Sequence, residues 1–130
     1  MKILAILILL YVALVATFES LIGFIQPADG STLVITTFDT DGTPHDRVVS
    51  RLDTGGTVYV AANHWPRAWF HRALANPDVQ ATIDGRKGNY RAAHVSGAER
   101  ERVQSEHPHG FAFRFLTGFP PRYFIRLDPR

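Results

Sequence analysis

The first 25 residues constrain this chain more than any others. Ile3 to Phe18 is sixteen residues without a charge, and Glu19 and Ser20 interrupt it only briefly before Leu21 to Ile25. Standing alone in water, a helix of this composition would leave its apolar side chains unburied; in lipid they match their surroundings. A straight transmembrane helix needs roughly 20 apolar residues, so Ile3 to Ile25 reaches across a bilayer if Glu19 and Ser20 sit near the headgroups. Residues 1–26 are therefore read as an N-terminal membrane anchor, with lipid as the partner of residues 3–25.

Two other readings stay open. Lys2 ahead of an apolar run also opens a signal peptide, although Ala13 to Ser20 contains no Ala-x-Ala pair and the bulky Leu14 and Phe18 stand where small residues are wanted. The segment can also pack on the domain or lie in the membrane interface. Lys2 is the only basic residue before Arg47. The positive-inside rule then puts the amino terminus in the cytoplasm and the domain outside, but a single lysine leaves the side of the membrane undecided.

Residues 27–130 suffice for one small domain with a single core. The formal charge of +2 comes mostly from arginines scattered between Arg47 and Arg130. Such a scatter reads as a solvated face, or as attraction to lipid headgroups or an anionic cofactor. No basic stripe interleaves with aromatics, which sets nucleic acid aside as a partner. With no cysteine, disulfides, thiolate metal sites and thiol catalysis are excluded. His107 and His109, two apart across a proline, and the distant His94 lack the spacing of a metal motif, so no metal is expected.

Pro27, Asp29 and Gly30 form a turn cluster separating anchor from domain. Leu33 to Phe38 reads as a strand, Asp39 to Pro44 as a turn, and Arg47 to Leu52 as a second strand. Asp53 to Gly56 is a hairpin turn before a third strand, Thr57 to Ala62. Pro66 and Arg67 open a helix to Ala75, stopped by Asn76 and Pro77. Two further strands, Val79 to Ile83 and Tyr90 to Val95, are joined by a turn around Gly85 to Gly88. Ser96 with Glu99 has capping-box spacing for a second helix through Val103. An aromatic segment, Phe111 to Leu116, leads past Pro120 and Pro121 to a last strand, Tyr123 to Leu127. Six short, mainly antiparallel strands with two short helices suggest the α+β class: a small, partly open split β-barrel preceded by a hydrophobic helix.

The block Trp69-Phe70-His71-Arg72-Ala73-Leu74-Ala75-Asn76-Pro77, followed by Asp78 and the strand Val79 to Ile83, resembles the deazaflavin-dependent nitroreductase and quinone reductase family. Members carry a Trp-Tyr-x-Asn-Leu-x-Ala-Asn-Pro stretch there. The similarity continues through Tyr90 to Ala93, Ala98 to Arg102 and Tyr123 to Pro129. It implies a split barrel that binds deazaflavin coenzyme F420 and passes a hydride to a quinone-like or nitroaromatic acceptor, a chemistry carried by the cofactor while the protein supplies position and electrostatics. An FMN-binding barrel, or a degenerate barrel that holds no cofactor and serves as a membrane-tethered binding module, is the alternative. Split barrels commonly pair, so a homodimer is possible.

The chain also departs from the family pattern. The basic, glycine-rich loop between the first two strands, which helps hold the cofactor's phosphate in members, reads Asp39-Thr40-Asp41-Gly42-Thr43-Pro44-His45 here. Its aspartates would repel a phosphate. Phe111 and Phe113 stand where relatives place substrate-facing tyrosines, which makes them a candidate substrate lid without a transferable proton. Asn63, His64 and Arg67, at a strand end and helix start suited to an anion, are the candidate cofactor contacts together with Arg47 and Arg51. Trp65 is a candidate cover for a ring system, and His64 the candidate proton donor. Trp69 and Phe70 are assigned to packing, and His71 and Arg72 to the outer face of the helix.

Overall fold

A computed structural model describes residues 1–25, 32–62, 68–108, 110–119 and 121–130. Helix α1 (Lys2–Ile25) precedes strands β1 (Thr32–Phe38), β2 (Pro44–Thr54) and β3 (Thr57–Ala62). Helix α2 (Ala68–Ala75) leads to β4 (Asp78–Ile83) and β5 (Arg86–His94), then α3 (Gly97–Glu106), α4 (Phe111–Leu116) and β6 (Tyr123–Pro129). The Pro27, Asp29 and Gly30 cluster lies outside the described residues, as do Pro66 and Arg67.

Tight turns set the registers. Asp39 and Thr43 close the β1–β2 turn, Asp39 N–H donating to the Thr43 carbonyl at 3.0 Å, so Pro44 already pairs with Phe38 and β2 starts earlier than expected. At the first residue of a strand proline loses no ladder bond. Gly55 and Gly56, both at positive φ, make the two-residue β2–β3 hairpin turn that matches strand twist. Asp84 and Gly85 do the same between β4 and β5. That Asp-Gly pair corrects the turn expected at Gly85 to Gly88: β5 begins at Arg86, and Gly88 is a strand residue paired with Ala81.

Every strand pairs antiparallel, and the order β1-β2-β3-β6-β5-β4 closes on itself. The expected partial opening is closed by a short β1–β4 pairing, Val34–Thr82 to Thr36–Gln80. Side-chain alternation then divides two cores. Leu33, Ile35, Val49, Val60, Ala62, Val79, Ala81, Ala92, Ile125 and Leu127 fill the barrel, and Trp69, Phe70 and Ala73 of α2 plug one end of it. On the outer face, α3 covers Tyr59, Ala61, Val95 and Phe124 with Val103.

Ser96 occupies the N-cap of α3 but makes no side-chain capping bond. Glu99 is engaged elsewhere, which removes the expected capping box: it accepts from the Tyr59 hydroxyl at 2.8 Å and from Arg126 at 3.1 Å. Arg126 also pairs with Asp128 at 2.7 Å, and Arg102 donates to the Tyr59 oxygen at 3.2 Å. The Tyr59 bond and the Arg126 charge hold the Glu99 carboxyl below its ordinary range, while burial and then Glu99 push the Tyr59 phenol up. Tyr59→Phe should cost about 1–2 kcal/mol in urea unfolding, because a buried polar network loses a member. A carboxyl depressed by folding contributes stability above its unfolded value, near 4.5, and loses it as pH falls through the lower folded value. The stability gap between the parent chain and Glu99→Gln should therefore be full at neutral pH and narrow below about pH 4.

The aromatic segment before Gly118 is a helix, α4, so the domain carries three helices rather than the expected two. Helix α1 rests on it along one stripe. Tyr11, Val15 and Phe18 are half-buried and Glu19 is buried, whereas the other described side chains from Met1 to Leu21 are exposed. The Tyr11 hydroxyl donates to the Phe115 carbonyl at 2.9 Å, Tyr11 packs on Phe115 with ring centroids 4.9 Å apart, and Phe18 meets Phe113 edge-on at 6.2 Å.

Candidate functional site

The packed interior leaves a flavin-sized ring no place inside the barrel, so a cofactor must sit on its rim or outer wall. Asn63, His64, Trp65 and Arg67 belong to the connection between β3 and α2 and lie outside the described residues. The elements around that connection are described. Arg72 of α2, expected on the outer face, turns toward the barrel: its Nε donates to the buried Thr37 hydroxyl at 3.0 Å. His71 remains exposed, beside the Phe70 ring. Arg47 pairs across from Ile35, two positions from Thr37 on the same face of β1. Arg47 and the anchored Arg72 are thus brought toward one end of the barrel.

Arg51 goes elsewhere. Four residues further along β2, about 13 Å at strand rise, it pairs with Asp53 at 3.0 Å and Asp84 at 3.1 Å at the hairpin end. Those carboxylates hold its guanidinium above the ordinary arginine value, the Asp84 hydrogen bond most of all.

The carboxylates of the acidic β1–β2 turn meet partners within or beside the turn. Asp39 meets His45 Nε2 at 2.6 Å, Asp46 accepts from the Thr36 hydroxyl at 2.6 Å, and Asp41 accepts from Thr43 N–H at 3.0 Å. The last bond holds the Asp41 carboxyl below its usual value. Among the described residues, Arg47 and Arg72 bring basic groups toward the α2 end. On donor chemistry, this end suits an anionic group.

A second feature was not foreseen. An open cavity of about 710 Å³ lies between α3, α4 and the residues entering β6, walled by Arg100, Arg114 and Arg122 with Glu101, Thr117 and Phe119. Its volume is in the range of small-molecule sites. Arg122 is only 8% exposed. Its Nη1 donates to the His107 carbonyl at 2.6 Å, its guanidinium lies 5.0 Å from the Phe124 ring centroid, and its own carbonyl accepts from Arg100 Nη2 at 2.8 Å. Burial and then the neighbouring Arg100 charge bring the Arg122 guanidinium down to about 10, still protonated at neutral pH. These residues read as scattered surface charge because they meet only through the docking of α3 against the approach to β6.

Phe111 is 72% exposed, while Phe113 is half-buried against Phe18 of α1. His107 Nε2 lies 3.0 Å from the Thr54 hydroxyl; His109 lies outside the described residues.

Residues 10–109 match the model of the F420H(2)-dependent quinone reductase family. Among curated proteins no relative matches. Several solved structures share the fold. An F420-H2 dependent reductase (FDR-A) is 16% identical with a TM-score of 0.58, covering 80% of this chain and 99% of that one. A protein described as a domain-swapped dimer is 18% identical with a TM-score of 0.62, covering 80% and 84%. The heme storage protein HutZ of Vibrio cholerae is 16% identical with a TM-score of 0.58, covering 89% and 87%. At these identities the structures speak for the fold alone.

Proposed function

Because this chain belongs to the F420H(2)-dependent quinone reductase family, we propose that it is a membrane-anchored reductase that uses reduced deazaflavin F420 to reduce a quinone-like or nitroaromatic acceptor. The observation that carries this reading is the family match from Tyr11's turn of α1 through α3, residues 10–109. When bound, the cofactor supplies a hydride. The protein supplies position, charge and exclusion of water.

In this reading the cofactor lies at the α2 end of the barrel. Arg47 and Arg67 pair with its anionic tail, Asn63 and His64 hydrogen-bond to it, and Trp65 covers its ring. An imidazole nitrogen of His64 holds the proton that accompanies the hydride. Arg51, tied to two carboxylates at the other end, is left out of the set. Helix α1 is long and apolar enough to cross a bilayer, by length and composition, and it would keep the barrel where quinones dissolve. Phe111 and Phe113 then form the acceptor's approach from the lipid side. A homodimer is part of the proposal, supported by the neighbour described as a domain-swapped dimer; sedimentation of the detergent-solubilised chain tests it.

The self-contained acidic turn favours one second reading, a barrel that binds no cofactor. Fluorescence titration of the purified full chain with F420 and with FMN decides between them. Saturable one-to-one binding of F420 is expected, weakened about 10- to 100-fold by Arg47→Ala, the usual range for losing a hydrogen bond to a charged group. Binding of FMN in preference, or of neither, contradicts the proposal.

A further inference from the structure

Helix α4 carries an aromatic face that nothing in the barrel covers. Phe111, Phe115 and Phe119 are all exposed, and their rings pack on one another with centroids 5.8 to 6.3 Å apart. Phe119 has a positive φ of 52°, a conformation that a bulky side chain adopts at a steric cost. Its N–H is held there by the Arg114 carbonyl at 2.8 Å. The backbone is thus constrained to add a third ring to a surface patch. The patch runs directly into α1 through Tyr11 and Phe115.

Beside this apolar face opens the arginine cavity. Elsewhere Arg51, Arg91, Arg126 and Arg130 each meet a carboxylate. In the cavity, Arg100 is fixed by a backbone carbonyl and Arg114 by the Phe119 ring, 5.6 Å from its centroid. Neither of these contacts neutralises charge, and among the described residues neither arginine forms an ion pair with a carboxylate. Glu101 is the one acidic residue of the wall. Arg100 and Arg114, set against a single acid, call for an anion, and a guanidinium matches phosphate geometry through paired N–H donors. Exposed aromatic rings flanked by arginines and continuous with an apolar helix are the composition of a surface that meets lipid.

We propose that the cavity between α3, α4 and the approach to β6 receives the phosphodiester headgroup of an anionic phospholipid, held by Arg100, Arg114 and Arg122, with its acyl chains along the Phe111, Phe115 and Phe119 face toward α1. This rests on the reading of α1 as a membrane anchor. Bound lipid would fix the barrel's tilt against the bilayer.

The test uses the full chain in neutral detergent, titrated with phosphatidylglycerol or phosphatidylcholine and followed by thermal unfolding. Phosphatidylglycerol should raise Tm saturably and phosphatidylcholine should not. Arg100→Gln and Arg114→Gln should each weaken the apparent affinity about five-fold, the usual effect of one basic residue at an anionic surface. Arg86→Gln, at the other end of the barrel, should leave it unchanged. Arg114 is exposed and outside both cores, so its variant keeps the test valid if Arg100→Gln fails to fold. Equal stabilisation by the two lipids, equal weakening by Arg86→Gln, or the same stabilisation by inorganic phosphate alone would overturn the proposal. Anchoring is scored separately by carbonate extraction of membranes: release of the chain there defeats the anchor reading whatever the lipid titration shows.

Discussion

Leu9→Arg combined with Val12→Arg should release the chain from membranes while leaving the barrel folded. Both side chains are more than half exposed near the middle of α1, away from the Tyr11, Val15 and Phe18 stripe that rests on α4. Neither substitution therefore removes a contact within the protein. In a bilayer each arginine near the helix centre costs about 2.5–3.5 kcal/mol on the insertion scale. Together they oppose insertion by about 5–7 kcal/mol if the two costs add. The parent chain should resist carbonate extraction and the double variant should not, with circular dichroism and F420 affinity unchanged. Release of both alike would mean that α1 does not cross a bilayer. Leu9 and Val12 would then be surface residues of a helix lying on the domain.

Ile125→Ala should be the most damaging single change in the barrel. Its side chain is fully buried, and it sits on β6 between Val60 of β3 and His94 of β5. The closed ring cannot collapse to fill the space, so the loss should fall in the range of about 2–5 kcal/mol found for large-to-alanine core changes. That is a large share of the roughly 5–15 kcal/mol by which domains are stable. The urea midpoint should fall with little change in slope. Leu74→Ala, on the exposed face of α2, should cost well under half as much. A small effect at Ile125 would show that the barrel interior is looser than its burial indicates.

Where local chemistry decides structure, the sequence was legible. β3 runs over Thr57–Ala62 as expected, bounded by a Gly-Gly pair whose positive φ values suit a two-residue hairpin turn. The same rule places the β4–β5 turn at Asp84-Gly85, both at positive φ, rather than over Gly85 to Gly88. Other features depend on partners distant in sequence. Glu99 sits at a capping spacing, but Tyr59 and Arg126, from strands 40 and 27 residues away, take its carboxylate. Helix α4 is six residues long, too short for a 3.6-residue period to declare itself. Arg72 has the spacing of a solvated helix residue, and only its bond to Thr37, 35 residues away, turns it toward the barrel.

The candidate site was partly legible for the same reasons. The Trp69 to Pro77 block and the matched family point to one chemistry, and Arg47 lies toward the barrel end that α2 plugs. The arginine cavity has no local signature. Arg100 lies on a helix, Arg114 on another and Arg122 in the approach to a strand, and only the packed fold makes them neighbours.

The most direct measurement is anaerobic oxidation of reduced F420 by the full chain reconstituted in vesicles with and without a quinone in the bilayer. Oxidation that requires both protein and quinone, saturates in F420 and falls with Arg47→Ala is the predicted result. No oxidation above the protein-free rate, from a chain shown to be folded and vesicle-bound, would contradict the assignment of a deazaflavin-dependent quinone reductase.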